Sequence, residues 1–223
     1  MGRGPGCKAI QRSQFGICNM GFPLRTVLRS YGIGGSISLT LDLLKTRLLF
    51  PEARLIRRPA HIRGRRWIDF GTQLTTGRGL RIDALGNEDT RGTLIRFGKH
   101  VSINDYVHIG AIKSVAIGDR VLIGSKVLIT DHNHGSYGTR GEHSDPLIPP
   151  ATRRLSAAPV VIEEDVWIGE FVSILPGVRI GKGSIIGTLS TVSHDIPPYC
   201  VAAGSPARVL KRYNFSTGRW ELE

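Results

Sequence analysis

The chain has 223 residues, 40% of them hydrophobic and 22% charged, which suits one soluble domain with or without an extension. It holds no stretch of about 18 uncharged apolar residues, so no helical membrane span is expected. Cys7, Cys18 and Cys200 form no CxxC pair; that argues against a zinc knuckle or a disulfide framework and for a reducing, cytosolic setting.

The N-terminal run MGRGPGCKAIQRSQFG is basic and lacks a continuous apolar core, so it does not read as a signal peptide. Residues 32–50 are apolar but broken by Asp42, Lys45 and Arg47, and an amphipathic helix is predicted over roughly 38–50. The net charge of +12 is uneven: residues 1–100 carry 18 Lys and Arg against 6 Asp and Glu, whereas residues 101–223 carry 12 of each. Arg54, Arg57, Arg58, Arg63, Arg65 and Arg66 concentrate the excess. Such a region is a solvated basic face, or it attracts an anionic membrane surface or an anionic substrate. No aromatic-interleaved basic motif points to nucleic acid.

From Ile162 onward the chain reads in sixes. Ile162, Ile168, Ile174, Ile180, Ile186 and Val192 hold position one; Val166, Val172, Val178, Ser184, Ser190 and Ile196 hold position five. A period of six fits neither a helix nor plain alternation and marks a stacked solenoid. Three hexads make one triangular coil, with position one pointing inward and position five near a corner. Gly169, Gly181 and Gly187 follow the aliphatic, where a tight turn with positive φ would need glycine. Ser184 and Ser190 fit a stack that hydrogen-bonds along its length. The pattern continues upstream through Phe97, Ile103 and Ile109, then Ile117, Ile123 and Ile129, with weaker hexads at Ile56, Ile62, Ile68, Leu74 and Leu80. Two segments interrupt it: a polar insertion over 83–93 and a long loop over 132–159. A loop of that length inside a repeat is usually functional or disordered, and this one carries His132, His134 and His143.

These hexads resemble the hexapeptide-repeat acyltransferases. The motifs VWIG (Val166–Gly169), PGV (Pro176–Val178), DIPP (Asp195–Pro198) and AGSPAR (Ala203–Arg208) stand in the order of the maltose, galactoside and nodulation acetyltransferase branch. The basic N-terminal part with DHNHG is also similar to O-antigen and capsular polysaccharide O-acetyltransferases. The resemblance implies an all-β solenoid, a left-handed parallel β-helix over 56–203. A basic extension with a short helix over 1–55 would precede it, and a C-terminal cap over 204–223 would follow. It further implies acetyl-CoA as acyl donor, no metal, a homotrimer and a sugar, polysaccharide or lipid-linked acceptor. The implied setting is cytoplasmic, with possible contact to the inner membrane surface.

In the family a histidine five residues after the last inward aliphatic is the general base. Counted from Ile129 this is His134, with His132 as competitor; a base titrating near neutrality suits the task. His61, His100 and His143 read as surface or structural residues. Asp131, Glu142, Asp145 or a backbone carbonyl could orient the base, and the sequence leaves these open. The resemblance places acceptor contact at Asn104, where a plain turn residue is the competing reading. It places coenzyme contacts at Trp167, Gly169, Thr188, Ser193, His194, Arg208 and Lys211, the last two meeting phosphates. Oxyanion-stabilising amides are implied near Trp167–Gly169. Two departures stand out. Ala111–Ile112 replaces an acidic residue, and Thr188–Leu189 replaces a small Ala-Gly pair. Cys200 reads as a packed small residue. The expected activity is O-acetylation of a surface-polysaccharide sugar. The alternatives are a xenobiotic or amino-sugar N-acetyltransferase and a non-catalytic β-helix scaffold. A zinc enzyme of the same solenoid would need an HxxxxH pair, which the sequence lacks.

Overall fold

The computed structural model describes residues 24–137 and 143–223. Cys7, Cys18, Glu142 and the basic N-terminal run fall outside the described residues. The chain divides into two compact units, residues 1–41 and 42–223. Helix α1, Leu24–Leu49, is longer than the predicted 38–50; Gly32 interrupts it at φ 65°, ψ −178°. Its last turns belong to the larger unit. There Thr46 Oγ1 accepts the Ile56 N–H at 2.9 Å, and Phe50 joins the core.

The larger unit is a stack of three-sided coils. The first coil is β1 (Leu55–Ile56), β2 (Ala60–Arg63) and β3 (Ile68–Asp69). The second is β4 (Thr75–Thr76), β5 (Leu80–Ala84) and β6 (Ile95–Phe97); the third is β7 (Ser102–Ile103), β8 (His108–Ala111) and β9 (Val115–Ile117). The fourth coil starts with β10 (Leu122–Ile123) and β11 (Leu128–Thr130). It then leaves the stack through β12 (His132–His134) and β13 (Leu155–Ala157) and closes with β14 (Val160–Ile162). The fifth is β15 (Trp167–Ile168), β16 (Ser173–Ile174) and β17 (Arg179–Ile180). The top is β18 (Ile185–Ile186), β19 (Thr191–Val192) and β20 (Cys200–Gly204), and the hairpin β21 (Ala207–Asn214) and β22 (Arg219–Leu222) follows. Successive coils pair in parallel. The first face runs β1-β4-β7-β10-β15-β18-β20, the second β2-β5-β8-β11-β16-β19, and the third β3-β6-β9-β14-β17. β21 then pairs antiparallel with β20, so the C-terminal hairpin covers what would be an open strand edge.

The core is one dry column of aliphatic side chains. Ile109, Ile123, Ile129, Ile168, Ile174 and Ile180 are all fully buried. Position five is equally buried, and its two serines bind between coils. Ser184 Oγ donates to Pro197 O at 2.8 Å and accepts the Cys200 N–H at 3.1 Å; Ser190 Oγ donates to Gly187 O at 2.6 Å and accepts the Gly204 N–H at 3.0 Å. Polar atoms this deep stay only when paired.

Three local expectations change. The glycine after each aliphatic does not make the turn. Positive φ falls two residues later, at Arg120, Lys126, Asp165, Phe171 and Leu189 among others. Gly118, Gly124, Gly169 and Gly181 are required instead by close approach. A Cβ at Gly118 would lie 2.6 Å from Glu164 N, and one at Gly169 2.7 Å from Thr188 N. Second, Leu74 and Leu80 do not hold position one. Thr76 pairs with Ile103 and Ile82 with Ile109, so Thr76 and Ile82 point inward and the leucines fill corner positions. Third, Asp83 and Ala84 are not part of the insertion: both are buried on β5.

Candidate functional site

The long loop is not structureless. It leaves the second face after β11 on a stem in which His132 pairs with Ala157 and His134 with Leu155. Arg153 ties the stem to the tip, donating from Nε to Ile148 O at 2.7 Å and from Nη1 to Tyr137 Oη at 2.7 Å. At the root sits Asp131, fully buried. Its carboxylate accepts the N–H groups of Ile112 (3.0 Å), Lys113 (2.7 Å) and Ser114 (2.7 Å), and it lies 2.9 Å from His132 Nδ1. In the tautomer whose proton is on Nδ1, His132 donates to Asp131 and its Nε2 is an acceptor. Of the described orienting candidates, Asp131 and Asp145, Asp131 is the one paired with a histidine, and that histidine is His132. The His134 imidazole is exposed on β12 and has no hydrogen-bond partner among the described residues; its carbonyl accepts the Tyr137 hydroxyl.

The His132 ring folds back over the outer surface of the second face. A Cβ at Gly110 would lie 3.4 Å from His132 Cε1, 3.9 Å from His108 Nε2 and 4.0 Å from Thr130 Oγ1. Gly110 is therefore buried beneath the His132 ring, with His108 and Thr130 beside it. Below it on the same face lies Asp83, whose side chain is only 9% exposed. Around it stand Arg81 Nε at 2.6 Å, His108 Nε2 at 3.1 Å and Arg63 Nε at 3.4 Å. Burial pushes the Asp83 carboxyl up, but hydrogen bonds from Arg81 and His108 and the two guanidinium charges outweigh it and hold the group below the usual carboxylate range. The sequence reading missed this cluster, since Arg63 lies 20 residues before Asp83 and His108 lies 25 after it. Only coil stacking, Arg63 beside Asp83 and Arg81 beside His108, unites them.

The remaining site residues fall on two edges of the prism. Asn104 follows β7, half-buried, at the edge between the first and second faces. Gly169 and Thr188 stand above it on the same edge, the glycine pressed against the Thr188 backbone. Trp167, half-exposed, faces outward on the first face; the register continues from it through Ile185 and Val201 to Lys211, with Arg208 beside Ala203 on the same hairpin. His132, His134, Ser193 and His194 stand on the other edge, between the second and third faces, where Ser193 Oγ lies 3.0 Å from His194 Nδ1. The second face separates the two groups by the length of β8, four residues or about 13 Å.

Three comparisons with known proteins bear on this arrangement. Residues 159–194 match the family model described as "Bacterial transferase hexapeptide (six repeats)". Over 193 residues, 86% of this chain and 96% of the relative, the sequence is 47% identical to WbbJ of Escherichia coli, described as a lipopolysaccharide biosynthesis O-acetyl transferase. The chain belongs to the bacterial hexapeptide-repeat transferase family. The coils are those of the family's left-handed parallel β-helix, an exception to the usual crossover hand. Among solved structures, a hexapeptide-repeat-containing acetyltransferase of Vibrio cholerae is similar with a TM-score of 0.51 and 27% identity, covering 85% of this chain and 92% of that one. AntD, an N-acyltransferase of Bacillus cereus solved with coenzyme A and dTDP-4-amino-4,6-dideoxyglucose, shares the fold with a TM-score of 0.59 and 20% identity. There the match covers 73% of this chain and 82% of that one.

In this member of the family two further expectations are revised or narrowed. The amides of Trp167 and Gly169 are not free for an oxyanion: they donate to Ser184 O at 3.0 Å and Ile186 O at 2.8 Å between coils. Leu189, where the sequence comparison expects a small residue, stands at φ 61° with its side chain 70% exposed, so it projects beside Thr188 rather than packing inward. Cys200 is buried and its thiol donates to Pro198 O; burial pushes its pKa up, away from a reactive thiolate. Among the described residues no group of three or more His, Cys, Asp and Glu is placed to hold a metal ion.

Proposed function

We propose that the protein transfers acetyl groups from acetyl-CoA to a sugar hydroxyl in the synthesis of a bacterial surface polysaccharide. The observation that carries this reading is the hairpin of β12 and β13: a coil stack is interrupted at one edge by a strand that carries His132 and His134. The likeness to WbbJ supports the acetyl donor, the oxygen acceptor and the polysaccharide setting.

His134 acts as general base. It removes the proton from the acceptor hydroxyl as that oxygen attacks the thioester carbonyl. The tetrahedral intermediate collapses with loss of the coenzyme thiolate, which takes the proton back from the imidazolium. No acyl-enzyme forms. Support for His134 comes from its family position, five residues after Ile129, and from an exposed ring that has no hydrogen-bond partner among the described residues. A second reading has a specific observation behind it: the Asp131–His132 pair has the geometry of an oriented base. Steady-state acetyl transfer separates them. We expect His134→Ala to lose about 10²–10⁴-fold in kcat and His132→Ala to lose less. The reverse order would assign the base to His132.

Coenzyme contacts at Trp167, Gly169, Thr188, Arg208 and Lys211 on one edge, and at Ser193 and His194 on the other, fit a site shared by neighbouring copies. In a cyclic trimer the edge bearing Asn104 and Thr188 of one copy would meet the edge bearing His134 of the next. The arginine-rich lower coils would hold the enzyme near an anionic membrane face in the cytoplasm. No helix among the described residues is long and apolar enough to cross a membrane.

A further inference from the structure

We infer that helix α1 lies flat in the surface of an anionic membrane and inserts an apolar stripe into it. This rests on the proposed placement at a membrane face and names the element that makes the contact.

The pattern of α1 is inverted. After Gly32, the residues Ile33, Ile37, Leu41, Leu44 and Leu48 recur at helical spacing, so they share one face. All five are between 50% and 82% exposed. The opposite side carries Asp42 and Thr46, both buried, and Thr46 Oγ1 accepts the Ile56 N–H. A surface helix ordinarily buries its apolar stripe and shows its charges to water. Here a carboxylate is inside and five large aliphatics are outside. Single exposed apolar residues are ordinary, but a continuous stripe of this length marks an interaction surface.

Charge decides what covers the stripe. At 100° per residue, exposed Lys45 and Arg47 stand about 80° to either side of its midline. Arg25 and Arg29 are exposed on the earlier turns, and Asp42 is the only acidic residue of α1, so the helix shows solvent positive charge alone. Just past the helix, Arg65 extends the basic zone: its guanidinium donates to Leu49 O and lies 4.3 Å from the centre of the Phe50 ring. An apolar stripe flanked by lysine and arginine suits a bilayer surface, with the aliphatics at the acyl boundary and the cations on lipid phosphates. A second copy of the helix fits poorly. Laid stripe to stripe, two such helices bring no exposed acid to either basic flank in any register, and like charges meet. The helix is not long and apolar enough to cross a membrane, so it lies in the plane, where residues 33–49 extend about 25 Å.

The test is co-sedimentation of the full chain with vesicles of mixed phosphatidylglycerol and phosphatidylcholine, and with vesicles of phosphatidylcholine alone. The expected result is saturable binding to the anionic vesicles, at least about tenfold tighter than to the neutral ones. The Leu44→Gln, Leu48→Gln double variant should bind the anionic vesicles at least about tenfold more weakly, with melting temperature and oligomeric mass unchanged. The Lys45→Gln, Arg47→Gln double variant should narrow the difference between the two kinds of vesicle. Anionic-vesicle binding as tight in the leucine variant as in the native chain would overturn the inference and leave the arginine-rich coils as the anchor. A smaller oligomeric mass of that variant without lipid would assign the stripe to a contact between copies, and would overturn it as well. Binding that survives in Arg63→Gln, Arg66→Gln but not in the leucine variant would sink those coils as the anchor and leave the helix standing. A native chain that binds neither kind of vesicle would overturn both.

Discussion

At the scale of single residues, the most constrained group is Asp131. The sequence shows an acidic residue beside two histidines, but not that its carboxylate is fully buried and accepts three backbone N–H groups from the corner below. Asp131→Ala strands those donors; we expect a loss of about 3 kcal/mol or more in stability, read from urea unfolding. Asp83 supplies a pH signature. Its folded pKa lies below the unfolded value of about 3.9, so the native state binds fewer protons there than the unfolded chain. Its stabilising contribution is complete above the unfolded pKa and lost as pH falls through the folded one. Urea midpoints measured from pH 6 downward should fall less steeply in Asp83→Asn than in the native chain. Neither role was legible in the sequence, because each depends on partners brought in by adjacent coils.

At the scale of elements, the inward aliphatics announce the strands, and from Phe97 onward every one of them lands on a strand as the spacing predicts. The lower coils are harder to phase. Leu74 and Leu80 are as hydrophobic as position-one residues, and Thr76 is not, so composition misleads where register decides. The glycines after the aliphatics are misread for a related reason. The turn takes place two residues later, at positions that Arg120, Lys126 and Asp165 occupy with positive φ, while the glycines sit where the backbone of the next coil passes. Gly118→Ala would set a methyl 2.6 Å from Glu164 N, against backbone that cannot swing aside. We expect about 1–3 kcal/mol of destabilisation, with the far-UV circular dichroism of the folded state unchanged. A melting temperature equal to the native one would show that the coils can spread at no cost.

For the whole molecule, the family was legible in the sequence, along with a list of candidate site residues, but not the partition of those candidates between two edges. A period of six says how the coils stack; it does not say that His134 and Asn104 lie at opposite ends of the second face. That separation makes one chain an incomplete site on this account, and so the central claim is acetyl transfer at a junction between copies. The most direct measurement is complementation. The His134→Ala variant and the Arg208→Ala, Lys211→Ala double variant are unfolded, mixed and refolded together, then assayed for acetyl-ester formation on a sugar acceptor at low acetyl-CoA. The account predicts that each variant alone is deficient and that the mixture recovers activity above either, because some junctions then combine an intact histidine with an intact coenzyme edge. A mixture no more active than the average of its two parts, with the native chain active in the same assay, would contradict it.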